Sequence, residues 1–149
     1  SLALAQAAEE SGWGTSRFVM EGNALFGQWT LNSSGGMIPN QRDPMKKHKV
    51  KKFSTLIEGV RAYALNLNTH GAYRVFRLKR EKARKASSVM AGIKLSKYLK
   101  AYSERGSDYI RTIQKIIRTN QLGQLDNARL RYKKIGEILP WFTIETQEF

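Results

Sequence analysis

The stretch from Leu2 to Gly27 constrains this chain more than any other, because a helix of small residues is broken twice by glycine within it. Leu2 to Trp13 reads as a helix stopped by Gly12 and Gly14. Ser16 to Glu21 reads as a second, short helix, with Ser16 as its N-cap and Gly22 ending it. A Gly-Asn-Ala-Leu-Phe-Gly turn (22–27) then opens a region of different character. Phe26 to Phe53 alternates around Asn32-Ser33-Ser34-Gly35-Gly36, which predicts a small, irregular hairpin lobe. Glu9 and Glu10 thus stand at a helix end beside an aromatic turn. A carboxyl held there, partly out of water, has a raised pKa and suits a general acid.

From Thr55 the pattern is helical again. Thr55 and Glu58 have capping-box spacing, and Leu56, Val60, Tyr63 and Leu67 fall on one predicted face. A further helical turn is expected over Ala72 to Phe76, a basic helix over Leu78 to Ser87, and another helix over Val89 to Leu99. Ser107 is expected to cap a helix whose stripe is Ile110, Ile113 and Ile117. Beyond Gly123 the signal weakens: Asp126 to Ile138 can be helical, and Pro140-Trp141-Phe142 reads as a tail folding back. The predicted fold class is α+β and mostly α: helices on one side, a β-hairpin lobe on the other and a groove between.

Its 149 residues suit one domain, and no run of eighteen apolar residues exists to span a membrane. The opening Ser1-Leu2-Ala3-Leu4 already lies in a helical pattern, which predicts a domain cut from a longer precursor, its targeting segment lost. Cysteine is absent, which fits a reducing compartment or a bacterial envelope protein without disulfides. The 26 Lys and Arg against 12 Asp and Glu give a formal charge of +14, which predicts an anionic partner or simply a solubilising surface. The basic stretch Arg74 to Lys85 carries no recognised nucleic-acid motif, so no specific nucleic acid is expected. His48 and His70 lie apart with no cysteine, so no metal or cofactor is expected. No triad, P-loop or dinucleotide signature is present.

Periodicity does not choose between the two acids. Glu10 shares its face with Gln6, Ala7, Trp13 and Gly14, and Glu9 with Leu2, Ala5 and Gly12. The run Ala-Gln-Ala-Ala-Glu-Glu-Ser-Gly-Trp-Gly (5–14), followed by Gly-Asn-Ala-Leu-Phe-Gly (22–27), resembles glycoside hydrolase family 73, and within it the Bax-like branch. These are peptidoglycan β-N-acetylglucosaminidases with a lysozyme-like fold, and the resemblance covers about residues 1 to 120. The family writes its catalytic acid immediately before Ser-Gly-Trp-Gly, which implies Glu10 as general acid. Its two later tyrosines correspond to Tyr102 and Tyr109 in Tyr-Ser-Glu-Arg-Gly-Ser-Asp-Tyr, although the Ala-Thr-Asp that follows the family's first tyrosine is missing.

The resemblance implies hydrolysis of the β-1,4 bond after N-acetylglucosamine in peptidoglycan, by a monomer at the bacterial cell envelope, periplasmic or extracellular. Residues 1–122 match the family and 123–149 form a C-terminal extension of the single domain. A partner carboxylate is expected in the lobe: Asp43, in Gln41-Arg42-Asp43-Pro44, is the candidate, with turn formation its plainer role. Glu58 reads as a helix cap. Attack by the substrate's own acetamido group would need neither. Tyr102 would orient water or the acetamido group. Trp13, Asn23, Phe26, Trp29 and Tyr109 are the candidate substrate contacts, with Trp13 and Phe26 also readable as core or groove wall and Asn23 as a turn-fixing residue. The alternatives are a lytic transglycosylase or muramidase, and a non-catalytic basic module binding wall or nucleic acid.

Overall fold

The computed structural model describes residues 1–30, 36–39, 48–86 and 91–128. Among these the chain forms helices α1 (Leu2–Ser11), α2 (Arg17–Gly22), α3 (Leu56–Thr69), α4 (Arg74–Lys85), α5 (Gly92–Leu95) and α6 (Ser107–Thr119). Strands β1 (Trp29–Thr30), β2 (Gly36–Met37) and β3 (Lys49–Lys51) make a small antiparallel sheet between α2 and α3. The fold is therefore α+β and mostly helical. No helix of the described residues is long and apolar enough to cross a membrane.

Helix α1 ends where Gly12, Trp13 and Gly14 take φ of 56°, 58° and 83° in succession. Glycine adopts this region freely, whereas a tryptophan there is an outlier held by its neighbours. The Trp13 N–H donates to the Ala8 carbonyl at 2.8 Å, and the Gly14 N–H donates to Ser11 Oγ at 2.8 Å. The reversal leads directly into α2. There Ser16 is the N-cap, its hydroxyl accepting from the Val19 N–H at 3.4 Å, and Asn23 ends the helix at φ 52°.

The lobe is more than the expected hairpin. Strand β3 lies in the middle, with Trp29 opposite Val50 and Thr30 opposite Lys49 on one side, and Gly36 opposite Lys51 and Met37 opposite Val50 on the other. Strands β1 and β2 do not pair with each other; both pair with β3. Val50 anchors the sheet by packing with Ala24 and Phe53, against Phe18 and Ala62.

The main core joins α1 and α6. Leu2 and Ala5 meet a stripe of Ile110, Ile113, Ile116 and Ile117, with Tyr63, Leu67, Phe76, Leu95 and Leu99 completing it. Each such aliphatic side chain contributes roughly 1.5–3 kcal/mol when buried. The isoleucine stripe is where the sequence places it, but Ser107 is the first residue of α6, and Gly106, at φ 52°, precedes it as the N-cap.

Three helical expectations are corrected. In α3 the inward residues are Gly59, Tyr63 and Leu67, while Leu56 and Val60 are exposed. The reason is Gly59: a Cβ there would stand 2.8 Å from the Asn23 carbonyl oxygen and 3.4 Å from the Phe53 ring. The helix turns its bare backbone, not its leucine, toward the α2–lobe junction. The Thr55 cap is present, accepting from the Glu58 N–H at 3.3 Å, but the Glu58 carboxylate accepts from the Ser54 N–H at 3.0 Å rather than from Thr55. The basic segment begins earlier than expected, as one helix from Arg74 that follows a 3₁₀ turn at Gly71–Tyr73.

Among the described residues of the expected Val89–Leu99 helix, only Gly92–Leu95 is α-helical, followed by a 3₁₀ turn at Ser96–Tyr98. Gly92 lies so close to the start of α1 that a Cβ would approach Leu2 N to 2.8 Å. Buried Ser96 donates to the Ile93 carbonyl at 2.8 Å and accepts from Gln114 Nε2 at 3.1 Å, tying the bend to α6. Asp126 stands in a 3₁₀ turn, Leu122–Asn127; the rest of the helix expected to Ile138, and Pro140-Trp141-Phe142, lie outside the described residues.

Gly59→Ala sets two effects against each other. Better helix propensity stabilises by roughly 1 kcal/mol, but the contact with a backbone carbonyl forces overpacking that costs about 1–3 kcal/mol. The clash should win. Chemical denaturation should show Gly59→Ala less stable by about 1 kcal/mol, whereas an equally stable variant would place α3 farther from Asn23 than it is here.

Candidate active site

The last turn of α1 presents two adjacent acids to different surroundings. Glu9 pairs with Arg105 at 2.5 Å, and the same guanidinium donates to Thr112 Oγ1 at 2.8 Å. Glu10 instead faces inward, toward Gly27: a Cβ on that glycine would lie 3.7 Å from Glu10 Oε2. Gly27 has φ of 57° and so can end the 22–27 turn against the acid without a side chain between them.

Behind Glu10 lies a set of packed aromatic rings. Phe26 stacks on Tyr63 with centroids 3.9 Å apart, and Tyr102 stacks on Tyr109 at 5.7 Å. Tyr102 also meets Tyr63 edge-on at 6.3 Å and Tyr73 at 6.2 Å. These rings come from the 22–27 turn, α3, the turn before α4, the 3₁₀ turn Lys100–Tyr102 and α6. One buried amide connects them. Gln6, one helical turn before Glu10 on α1 and fully buried, accepts from the Tyr63 hydroxyl at 2.6 Å and donates to the Tyr109 hydroxyl oxygen at 2.9 Å. With its oxygen accepting from Gln6, Tyr109 has its own proton to donate to the Glu10 carboxyl.

The electrostatics follow from this enclosure. Burial pushes the Glu10 carboxyl above its ordinary range; the Tyr109 hydrogen bond opposes that, the neighbouring Glu9 charge adds to it, and Arg105 opposes it. Desolvation is the largest of these effects. The phenols of Tyr63, Tyr102 and Tyr109 are raised far above their usual range, first by burial and further by the Glu10 charge. Tyr73 is raised for the same first reason, partly offset by its hydrogen bond with Asn66. Four protonated phenols therefore surround a single carboxyl that holds its proton more tightly than a carboxyl in water.

The candidate residues divide by position. Glu10, Tyr102, Tyr109 and Phe26 converge. Tyr109 and Phe26 are buried, so they back the site rather than offer a ring face to a sugar. Tyr102 is partly buried, its hydroxyl 3.4 Å from the Phe26 carbonyl that accepts from it. Asn23 spends its amide on the Phe53 and Ser54 carbonyls, at 3.0 and 3.3 Å, holding the turn to the approach of α3. Trp13 is 64% exposed at the glycine reversal beyond the acid, and Trp29 is 62% exposed on β1, one face stacked on His48 at 3.9 Å. Asp43 lies outside the described residues. Among the described residues no group of three potential ligands could hold a metal.

Sequence reasoning missed Gln6 as a structural hub, Tyr63 and Tyr73 as neighbours of the acid, and Arg105 as the partner of Glu9. A signal existed for Gln6. It is a polar residue four positions before Glu10, on the same face of an otherwise small-residue helix.

This arrangement sets one dehydrated carboxyl, at a helix end, among packed tyrosines. The model of the glucosaminidase family, described as mannosyl-glycoprotein endo-beta-N-acetylglucosaminidase, matches residues 1–122. The chain belongs to that family, which places it among the glycoside hydrolases. It is similar to protein bax of Escherichia coli (strain K12), with 37% identity over 121 residues, covering 81% of this chain and 42% of that protein. The chain thus spans about two fifths of the length of this curated relative. No solved structure gives a significant match.

Two substitutions check the site. In Gln6→Leu the hydroxyls of Tyr63 and Tyr109 lose a buried partner, and the expected cost is about 2–4 kcal/mol in a denaturation experiment. Glu10→Gln acts the other way. The folded-state pKa of Glu10 is raised, so the stability its protonation provides is complete below the unfolded-state pKa and is lost as pH rises through the folded-state value. The Glu10→Gln chain should therefore be more stable than the parent at about pH 8, with the gap closing toward about pH 4. A gap that widens on acidification would contradict the raised pKa.

Proposed function

We propose that this domain hydrolyses the β-1,4 glycosidic bond after N-acetylglucosamine in peptidoglycan, with Glu10 as the general acid, and that it works at the bacterial cell envelope. The observation that carries this reading is the asymmetry between the two adjacent acids. Glu9 is ion-paired with Arg105, whereas Glu10 is dehydrated, hydrogen-bonded by Tyr109 and biased toward its protonated form. A glycosidase needs that bias, because the leaving sugar oxygen must receive a proton as its bond to the anomeric carbon breaks. Family membership and the similarity to protein bax support the reaction type.

Tyr109 serves the acid in both states, donating to the carboxylate once the proton has gone and limiting how far dehydration destabilises that charge. Gln6 keeps the Tyr109 hydroxyl in place. Glu58 is engaged with the Ser54 N–H at the start of α3 and is a capping residue rather than the second carboxylate. The second group is then Asp43, as base or nucleophile, or, without a second carboxylate, the acetamido group of the substrate, which attacks the anomeric carbon as Glu10 protonates the leaving oxygen.

Digestion of purified sacculi, with fragments read by mass spectrometry, tests the reading. The parent chain should release fragments ending in reducing N-acetylglucosamine, and Glu10→Gln should lower the rate by at least about a hundredfold while still binding the wall. Anhydromuramic or reducing muramic ends would instead identify a lytic transglycosylase or a muramidase. Full activity in Glu10→Gln would remove the assignment altogether. The plot of kcat/KM against pH should fall on the alkaline side at a pH above the ordinary carboxyl range, and Tyr109→Phe should shift that limb. If Asp43 is the base, Asp43→Asn lowers kcat by about a hundredfold with the fold intact.

A further inference from the structure

The outward side of α4 has a composition that packing does not require. Between residues 74 and 100 the chain carries ten of its 26 lysines and arginines and one acid, Glu81. The inward side of the helix is engaged with the core. Phe76 and Ala83 are buried, Arg77 donates to the Leu67 and His70 carbonyls at 3.1 and 2.8 Å, and Arg80 lies over the Phe76 ring and donates to Asn68. Arg74, Val75, Leu78 and Lys82, at steps of one, three and four, share the opposite side, with Lys79 at its edge. All five are exposed, Val75 by 50% and Leu78 by 47%.

A second segment extends this face. The Lys79 ammonium lies 5.9 Å from the centre of the Tyr98 ring, which brings the turns at 94–100 alongside α4. Lys94, Lys97 and Lys100 are exposed there. The acid of the region, Glu81, is taken by Lys85 at 2.7 Å. Arg74, Lys79, Lys82 and Lys97 form no ion pair among the described residues. The face is therefore strongly positive, and two aliphatic side chains project between its cations.

We propose that this face docks on a bilayer surface rich in anionic phospholipid. The mixture of residues selects that occupant. A nucleic acid is gripped by rings on which bases stack, and the ring that adjoins these cations, Tyr98, is half-buried beneath Lys79. Lipid phosphates match the cations, and the boundary between head groups and acyl chains accepts the valine and leucine standing between them. The helix lies on the membrane and does not cross it. Binding at this face uses none of the residues around Glu10, so it stands or falls apart from the hydrolytic reading.

The test is flotation of the full chain with vesicles of phosphatidylcholine alone and of phosphatidylcholine with about 30% phosphatidylglycerol. The chain should bind the second and not the first, and about 0.5 M salt should release most of it. Arg74→Gln, Lys79→Gln and Lys82→Gln together should lower affinity on the order of a hundredfold, about fivefold for each charge. A control removes the same charge elsewhere: Arg61→Gln, Lys115→Gln and Arg118→Gln together should lower it about threefold or less. All six side chains are exposed, so the fold is not at stake. Val75→Ser with Leu78→Ser should weaken vesicle binding about tenfold and leave binding to a soluble polyanion, polyglutamate, unchanged. Equal binding to the two kinds of vesicle, or equal losses in the two charge variants, overturns the proposal. Vesicle binding indifferent to Val75→Ser with Leu78→Ser overturns it too, and identifies the face as a site for an anionic polymer instead.

Discussion

One buried amide holds this site together. Gln6 is on α1, Tyr63 on α3 and Tyr109 on α6, and hydrogen bonds of 2.6 and 2.9 Å join the three through a single side chain. A buried amide in an apolar core costs free energy unless both its ends are paired, and here each end has a tyrosine. Sliding α1 along α6 would break one bond and moving α3 would break the other. The same α1 carries Glu10 one helical turn later, so the network that fixes helix positions also fixes the acid against Tyr109. Structure and chemistry share one set of contacts.

The divergence of Glu9 and Glu10 follows from helix geometry. Neighbouring residues point about a hundred degrees apart, so two identical side chains reach different environments, one toward Arg105 in the segment before α6 and one toward Gly27 and the rings. Arg105 counters the negative charge nearest the acid, since Glu9 would otherwise push the Glu10 pKa higher still. The glycine reversal matters as much. Three consecutive residues at positive φ end α1 immediately after the acids and send the chain into α2 and the lobe, so Gly27 can return to within contact of Glu10.

Much of this was legible in the sequence where local chemistry decided the outcome. The break at Gly12, the caps at Ser16 and Thr55 and the isoleucine stripe of α6 each depend on residues a few positions apart. The failures share one cause, contact between distant segments. Leu56 and Val60 have the right spacing for a buried face, but Gly59 meeting the Asn23 carbonyl rotates that face outward. Gly92 abuts Leu2, and among the described residues the expected helix is a single turn followed by a 3₁₀ bend. The tyrosines around Glu10 come from four separate segments, a convergence no periodicity reports. Family resemblance named Tyr102 and Tyr109, and packing distinguishes them: Tyr109 is buried and hydrogen-bonds Glu10, while Tyr102 stands partly open.

A formal charge of +14 works against a raised carboxyl pKa, because every cation stabilises the carboxylate. Glu10 nevertheless has a raised pKa, and the distribution of charge explains how. The basic residues of α4 lie mainly on the surface, where water and salt screen them within about 8 Å. Among the described residues the one cation acting noticeably on Glu10, Arg105, is paired with Glu9, which cancels much of its field. What remains is dehydration by apolar rings, a short-range effect that bulk charge does not reach. Strong overall positive charge and a raised Glu10 pKa therefore coexist, because the two are separated by a layer of tyrosine.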